Sequence, residues 1–583
     1  MLAGSLGLSG CSDPFDYVWV RTWDTEQDPS MYPERSDENL AVGWLSERPS
    51  FGISFSGGGT RAATATLGEL RALDSLGWID KAQYIATNSG GAWTSVPYTY
   101  LPDSLDERRF LGQYVPPAAI TDAILEQEDD ELSMASAIYH AKILDLRDLK
   151  RVGALWRGDE SYSNLVNRIF LRPFGLHERE RFFTLDENSR ASILEGNAEF
   201  SRDDFYVVER QRPFLILVGT MLERATSDAP DERHLFEVTP LYAGARREVL
   251  SSDEDNESPV TYGGGYVEPF GYDSYAPESP QVDGRWMVRL KGKPELGDLP
   301  SNTRYRFTLA DAIGMSSAAP AVTMAGMNLG NTIFADFRHW GIGREGSSSN
   351  PESGADAREL PHGDGGDIDN LALLPLLARQ VQNILVFVNT GTPFRPSHYG
   401  GEPVSATRIG GEPVSPEHIG GFAEHSHMVD DVISLFTSIG DLQYNTVFDN
   451  GTEELGKLAT AFRERQERGE PLVHCQTYRV MDNPRQSIAA YQPNICWVYL
   501  ERAADWVEQI SEPGELTEEL RSGTGKFENF PHYRTFGEQG PLFIDLDQER
   551  VHAMSNLTAW TAFESAEYVA RSLAGAGLET PGR

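Results

Sequence analysis

The first residue of this chain that could do chemistry is a serine at the end of a short β-rich run. Tyr84 to Thr87 reads as a strand, Ser89 stands at its end, and Gly90 and Gly91 follow. A sharp strand-to-helix turn with small neighbours lets a hydroxyl oxygen stand clear of its own backbone. Thr87 takes the place of the first glycine in the usual G-x-S-x-G elbow, on the strand side where a β-branched residue is tolerated. One helix upstream lies a second turn, S-G-G-G-T-R-A, with Gly57, Gly58 and Gly59 in a row. Glycines at a helix N-terminus present backbone N–H groups that lack intrahelical partners, and the helix dipole favours negative charge there. A hydroxyl beside a backbone anion cradle is the minimum for acyl transfer. Either turn alone reads as structural; two of them, one helix apart and both opening helices, read as a site.

The elements that must hold these turns are legible around them. Phe51 to Ser56 alternates and is β-rich, which predicts a buried strand. From Ala62 the period changes, and Ala63, Leu67, Leu70, Leu73 and Leu76 mark one face of a helix that Gly77 ends. Pro213 to Met221, Arg285 to Leu290, Ile384 to Thr390 and Asn494 to Leu500 read as further strands. Phe307 to Val322 reads as a small-residue helix stopped near Pro320, with Ser316 and Ser317 as packing residues. A Leu-rich helix is expected at Leu371 to Leu377 and a final one near Gln548 to Leu573. Strands separated by helices predict an α/β fold, with a mostly parallel central sheet and helices on both faces. Ligand sites in such sheets lie at the carboxyl ends of strands, where both glycine turns fall.

A carboxylate stands far downstream, in H-G-D-G-G-D-I-D-N from His362 to Asn370. Glycines flanking Asp364 let the chain turn tightly and bring a carboxylate in from a loop. A turn aspartate is the plainer reading, and Asp367 and Asp369 lie close enough to be confused with it.

Composition bounds what surrounds this chemistry. The 583 residues are 40% hydrophobic, ample for a large core with insertions. The net charge is −38 and lysine is scarce, which argues against nucleic acid and against purely electrostatic docking on anionic lipid. Of three cysteines, Cys475 and Cys496 could pair, although two buried thiols is the favoured reading. Cys11 ends L-S-G-C after a small, apolar run, and this resembles a bacterial lipobox in which the cysteine carries lipid. The positive n-region and longer apolar core of a signal are missing, so the true start is expected upstream. Such a lipid would place the chain at the bacterial cell envelope; otherwise it reads as cytoplasmic.

Four motifs stand in order: S-G-G-G-T-R-A, N-S-G-G-A-W, S-S-A-A-P and D-G-G. Together they resemble the patatin-like phospholipase superfamily, and the arginine after the triple glycine and the S-G-G-x-W elbow are most similar to its cytosolic phospholipase A2 and fungal lysophospholipase branch. The resemblance covers roughly Phe51 to Thr390. It implies Ser89 as nucleophile and Asp364 as the base of a dyad without histidine. It implies Gly58 and Gly59, helped by Gly57, as oxyanion donors, and Arg61 as a residue that binds phosphate or supports the oxyanion region. A salt bridge at the helix start is the equal alternative for Arg61. The substrate implied is a phospholipid or lysophospholipid at a membrane surface, with no cofactor or metal. No calcium-binding membrane-docking domain precedes the catalytic region, so a lipid on Cys11 would supply the membrane approach.

The expected organisation is a lipobox segment over 1–11, an N-terminal extension over 12–50 lying on the core, and a catalytic domain over 51–583. That domain carries a largely helical insertion at about 102–210, expected to cover the site, and a loop repeat at 400–421. Two other readings stay open. One is an α/β-hydrolase triad using His418, His425, His427, His474, His532 or His552. The other is an inactive lipid-binding envelope protein.

Overall fold

Phe51–Phe55 (β2) and Tyr84–Thr87 (β3) are buried at every position, as their apolar continuity requires, and they pair in parallel. In the computed structural model they lie near the middle of a thirteen-stranded mixed sheet. The structure describes residues 17–25, 32–36, 42–141, 161–223, 232–251, 260–277, 280–290, 306–318, 336–342, 357–394, 408–409, 412–413, 427–438, 440–511, 513–534 and 545–579. Cys11, His418, His425, Pro320 and most of the 400–421 repeat lie outside them; of that repeat, Arg408–Ile409 and Glu412–Pro413 form a two-stranded ribbon.

The other strands of the sheet are β1 (Tyr17–Asp24), β4 (Phe214–Glu223), β5 (Glu232–Val238), β6 (Ala243–Ser251), β7 (Val260–Val267), β8 (Arg285–Arg289), β9 (Asp336–Trp340), β10 (Ala357–Asp364), β11 (Asn383–Val388), β12 (Leu472–Thr477) and β13 (Asn494–Tyr499). The main path runs β8-β1-β7-β6-β5-β4-β3-β2-β11-β13-β12, with β10 on β4 and β9 on β10. The α/β class holds, but parallel pairing is confined to β4-β3-β2-β11-β13. Every other strand pair of this sheet is antiparallel among the described residues. The parallel strands are connected through helices, whereas β5, β6 and β7 follow one another closely enough to fold back as a meander.

The N-terminal stretch is more than a covering extension. Its Tyr17–Asp24 is a strand of the sheet, paired to β8 and β7. The insertion is a set of short helices with a two-residue strand pair, Phe182–Phe183 on Phe205–Tyr206. The thiol reading is corrected. The antiparallel register of β12 on β13 sets Cys475 opposite Cys496, and the two form a disulfide.

Helix α1 (Gly59–Ser75) leaves the first glycine turn and is buried from Gly59 to Leu73 on all sides, not along the one face its periodicity marks. The reason is a second cover. The long helix α4 (Gln548–Ser572) packs on it, and Thr558 Oγ1 donates to the Ala65 carbonyl at 2.9 Å. Helix α2 (Ser89–Thr99) follows β3, and helix α3 (Leu309–Ser316) packs on α2 and β4. Among the described residues, no helix is long and apolar enough to cross a membrane.

Candidate active site

Sheet register brings the serine and the aspartate together. Strand β3 ends on β4 with Thr87 opposite Leu217, and β10 takes over the same edge of β4 with Asp364 opposite Gly219. Ser89 lies two residues past Thr87, so both residues flank one stretch of β4. A sequence separation of 275 closes to a hydrogen bond of 2.8 Å from Ser89 Oγ to Asp364 Oδ2. Ser89 takes a φ of +46°, a left-handed conformation that a non-glycine residue holds only when its surroundings impose it.

Those surroundings centre on Ser316, the last residue of α3. Its hydroxyl accepts the Ser89 N–H at 3.3 Å and donates to the Val218 carbonyl. Its own carbonyl accepts the Gly365 N–H at 3.1 Å. One residue therefore joins Ser89, strand β4 and the carboxylate loop, which is a positioning task beyond packing. The S-S-A-A-P motif was visible in the sequence, but its partners come from three other elements.

Asp364 is 4% exposed and Ser89 7%. Burial pushes the Asp364 carboxyl up to about 6, against the Gly366 N–H and Ser89 hydroxyl bonds, which pull it down. Gly366 N–H donates to Asp364 Oδ1 at 2.8 Å. The neighbouring carboxylates do other things. Asp369 Oδ2 accepts the Leu374 N–H at 2.7 Å, at the start of the helix Leu374–Ala378. Asp367 is pushed up to about 8 by burial first and by the Asp364 charge second. Only Asp364 bonds Ser89.

The glycine turn divides its roles. Gly57 N–H donates to the Asn370 carbonyl at 3.0 Å, so this amide ties the cradle to the carboxylate loop instead of facing a substrate; the expected donor role of Gly57 is corrected. Gly58 turns at φ +137°, which a side chain rarely adopts, and α1 starts at Gly59. The two helix N-termini abut there. A Cβ on Gly90 would stand 2.0 Å from the Gly59 carbonyl oxygen and 2.6 Å from its nitrogen, so nothing larger than glycine fits. The first helical bond of α2 is Ala92 N–H to the Asn88 carbonyl, which leaves the Gly90 N–H in the unbonded first turn. Gly90 follows the serine, the position whose N–H completes the anion hole of a nucleophile elbow. It adds to the donors that the resemblance implies, and the S-G-G spacing carries its signal.

No family model and no curated protein matches this chain. Its structure is similar to human GIVD cytosolic phospholipase A2, at 17% identity and a TM-score of 0.42, covering 94% of this chain and 62% of that one. It is similar to the same human protein in complex with methyl gamma-linolenyl fluorophosphonate, at 15% identity and a TM-score of 0.38, with the same coverage. This chain thus spans about 62% of the length of the solved structures it matches.

Arg61 is 4% exposed and lies against Gly58. Its Nε donates to the Asn389 carbonyl at 2.9 Å and its Nη1 to the Tyr533 carbonyl. These bonds fasten the glycine turn to the end of β11 and to a C-terminal segment. Among the described residues, no histidine side chain bonds Ser89 or Asp364. Asp364 and Ser89 bond one another, the Gly366 N–H and the Ser316 hydroxyl, with no imidazole among their side-chain partners. His532 meets the Thr390 carbonyl and Glu501, His552 meets the Leu125 carbonyl and Asp129, and His474 meets Gln476. The side chain of His427 lies outside the described residues. Beside Ser89 and Asp364, Tyr162, Met315, Phe337 and His362 line a small recess. Tyr162 donates to the Ser317 carbonyl at 2.7 Å and feels the Asp364 charge. On α2, Trp93 stacks on Phe170 of the insertion at 4.7 Å.

Proposed function

We propose that this chain is a serine acyl hydrolase that cleaves ester bonds of phospholipids or lysophospholipids through a Ser89–Asp364 dyad. The observation that carries the reading is the 2.8 Å bond from Ser89 Oγ to a buried Asp364 carboxylate, made at an elbow between two abutting helix N-termini. A carboxylate acts as base toward a serine only when held against it in a dry site, and one pushed up to about 6 is poised near neutral pH.

Asp364 accepts the Ser89 hydroxyl proton as Oγ attacks the acyl carbonyl carbon, and the carbonyl electrons move to oxygen. The N–H groups of Gly59 and Gly90, with Gly58 in the same turn, are the donors proposed for that oxyanion; a well-placed donor contributes about 3–4 kcal/mol. Collapse expels the lipid alcohol, which takes the proton from Asp364 and leaves the acyl group on Ser89. Water then loses a proton to Asp364 and attacks the acyl-enzyme, releasing fatty acid and restoring the serine. Arg61 holds Gly58 in place through its own carbonyl anchors, a positioning role. The base must be ionised, so the rate rises as pH climbs through about 6.

A histidine triad has no supporting contact among the described residues. An inactive lipid-binding protein would have no use for a strained serine beside a buried carboxylate. The deciding measurement is labelling by a fluorophosphonate probe together with hydrolysis of a phospholipid and lysophospholipid panel. Label on wild type, none on Ser89→Ala, and hydrolysis lost with it are expected. Folded wild-type protein that takes no label sinks the reading.

The disulfide suits an oxidising compartment, and with lipid on Cys11 it supports an envelope location. Radiolabelled palmitate should enter wild type and not Cys11→Ala; equal labelling of both rejects the anchor.

A further inference from the structure

The glycine turn between β2 and α1 is gripped by Asn389, a residue outside all four sequence motifs. Strand β11 pairs in parallel with β2 as far as Phe387 opposite Phe55, and two residues on, Asn389 stands beside the start of the turn. It is 1% exposed and bonds residues on both sides of Gly57 to Gly59. Before the turn, its N–H donates to Ser56 Oγ at 2.8 Å. After the turn, its carbonyl accepts Arg61 Nε at 2.9 Å. A Cβ on Gly58 would stand 3.1 Å from that same carbonyl oxygen, so the turn lies directly against it.

Any residue type offers those backbone groups; the side chain adds what needs an amide. Asn389 Nδ2 donates to Glu69 Oε2 at 3.2 Å and lies 3.5 Å from Thr66 Oγ1. Thr66 and Glu69 are three positions apart on α1 and so share one face of the helix. The carboxamide thus ties the body of α1 to the strand end, and with it the direction in which the first N–H groups of α1 point. Glu69 is 2% exposed, and burial pushes its carboxyl up to about 8, against the Asn389 bond, which pulls it down. A leucine would fill this place in the core without that cost, so the carboxyl is accounted for by the bond it offers Asn389.

We infer that Asn389 is a positioning residue for acyl transfer, which holds the start of α1 in line with Ser89 through Ser56, Arg61 and Glu69. The effect on rate rests on the hydrolase reading; the grip on the turn does not. The alignment it protects is close, since a Cβ on Gly90, next to the serine, would stand 2.6 Å from the Gly59 nitrogen. A small drift of α1 moves that amide relative to Ser89 while the Ser89–Asp364 bond, made on β4, stays in place.

Turnover and amide exchange are followed together on the full chain. Asn389→Leu keeps a similar volume and the backbone bonds and removes the carboxamide. It should lower kcat by a factor of about 10 to 100 with KM within about twofold, because donors to an oxyanion act in the transition state. Amide exchange over residues 57–66, read by mass spectrometry, should quicken about fivefold or more while that of α3 stays as in wild type. Glu69→Gln keeps an acceptor for Asn389 Nδ2 and should hold kcat near wild type, whereas Glu69→Leu should fall with Asn389→Leu. Joined in one chain, the two leucine substitutions should cost no more than the larger single loss, because they remove the same bond. If Asn389→Leu does not fold by circular dichroism, Glu69→Leu against Glu69→Gln carries the test. The proposal is overturned if folded Asn389→Leu turns over or exchanges as wild type does, if the loss lies in KM alone, or if Glu69→Gln loses as much as Glu69→Leu. Wild type that neither hydrolyses a lipid ester nor takes a fluorophosphonate label sinks the hydrolase reading instead, and the exchange comparison then decides by itself whether Asn389 holds the turn.

Discussion

Two buried polar clusters lie in this sheet, and they are built in opposite ways. In one, Arg379 donates Nε to Glu34 at 2.9 Å and its two terminal nitrogens to Glu237 at 3.0 and 2.7 Å. Tyr242 closes the ring, accepting from Arg379 and donating to Glu34, each at 2.7 Å. One guanidinium is shared by two carboxylates, and each of these groups has a hydrogen-bond partner within the cluster. In the other, Asp364 has one serine and one backbone N–H for partners, no cation contacts it, and Ser89 is held at a positive φ. The first cluster saturates its groups and so fixes structure. The second buries a carboxylate with two donors, and the burial outweighs them and raises its proton affinity into a useful range.

That contrast can be broken or sharpened by substitution. The largest effect belongs to the dyad: Ser89→Ala should lower ester hydrolysis by a factor on the order of 10³ or more while the urea unfolding midpoint hardly moves. A comparable loss of stability would make Ser89 a structural residue. Next, Arg379→Met leaves two buried carboxylates without their cation and should cost about 3–5 kcal/mol in urea unfolding, without changing the fluorophosphonate labelling rate of the folded fraction. A cost below about 1 kcal/mol would mean that the cluster is not saturated as described.

Asp364→Asn reverses the sign. A folded pKa raised from 3.8 to about 6 means that ionisation opposes folding. The stability this group contributes is full below about pH 4 and is lost as pH rises through about 6. The amide variant should therefore be more stable than wild type by about 2 kcal/mol near pH 8, equal to it near pH 4, and inactive at both. A variant less stable near pH 8 would show that Asp364 is held for structure. The smallest effect is Ser316→Ala, which removes the hydroxyl from the Ser89 N–H and should slow hydrolysis about tenfold, near 1.4 kcal/mol, with KM little changed. Loss in KM alone would place Ser316 in substrate binding instead.

The parallel part of the sheet was legible because its strands are buried on both faces and each is followed by a turn with its own chemistry. Phe51–Phe55, Tyr84–Thr87, Phe214–Glu223, Asn383–Val388 and Asn494–Tyr499 were all anticipated within a residue or two. Of the antiparallel part, Arg285–Arg289 was anticipated and the rest was not. Glu232–Val238 and Ala243–Ser251 carry charges inside the strand, and Val260–Val267 is interrupted by Gly263 to Gly265. Such strands are defined by what they pair with, and β propensity follows from neighbours more than from the residue itself. Strand β1 was missed for the same reason, since its partners β7 and β8 lie more than 200 residues away.

By itself the sequence determined the local devices: a serine on a strand end, glycine turns opening two helices, and an aspartate between glycines. Each depends on residue type and on neighbours a few positions away. Only the tertiary structure decided which carboxylate meets the serine, that Gly57 spends its amide on Asn370, and that Ser316 joins three elements. Those outcomes rest on the register of β3 and β10 along one edge of β4, and register is set by pairings between residues that no local pattern connects.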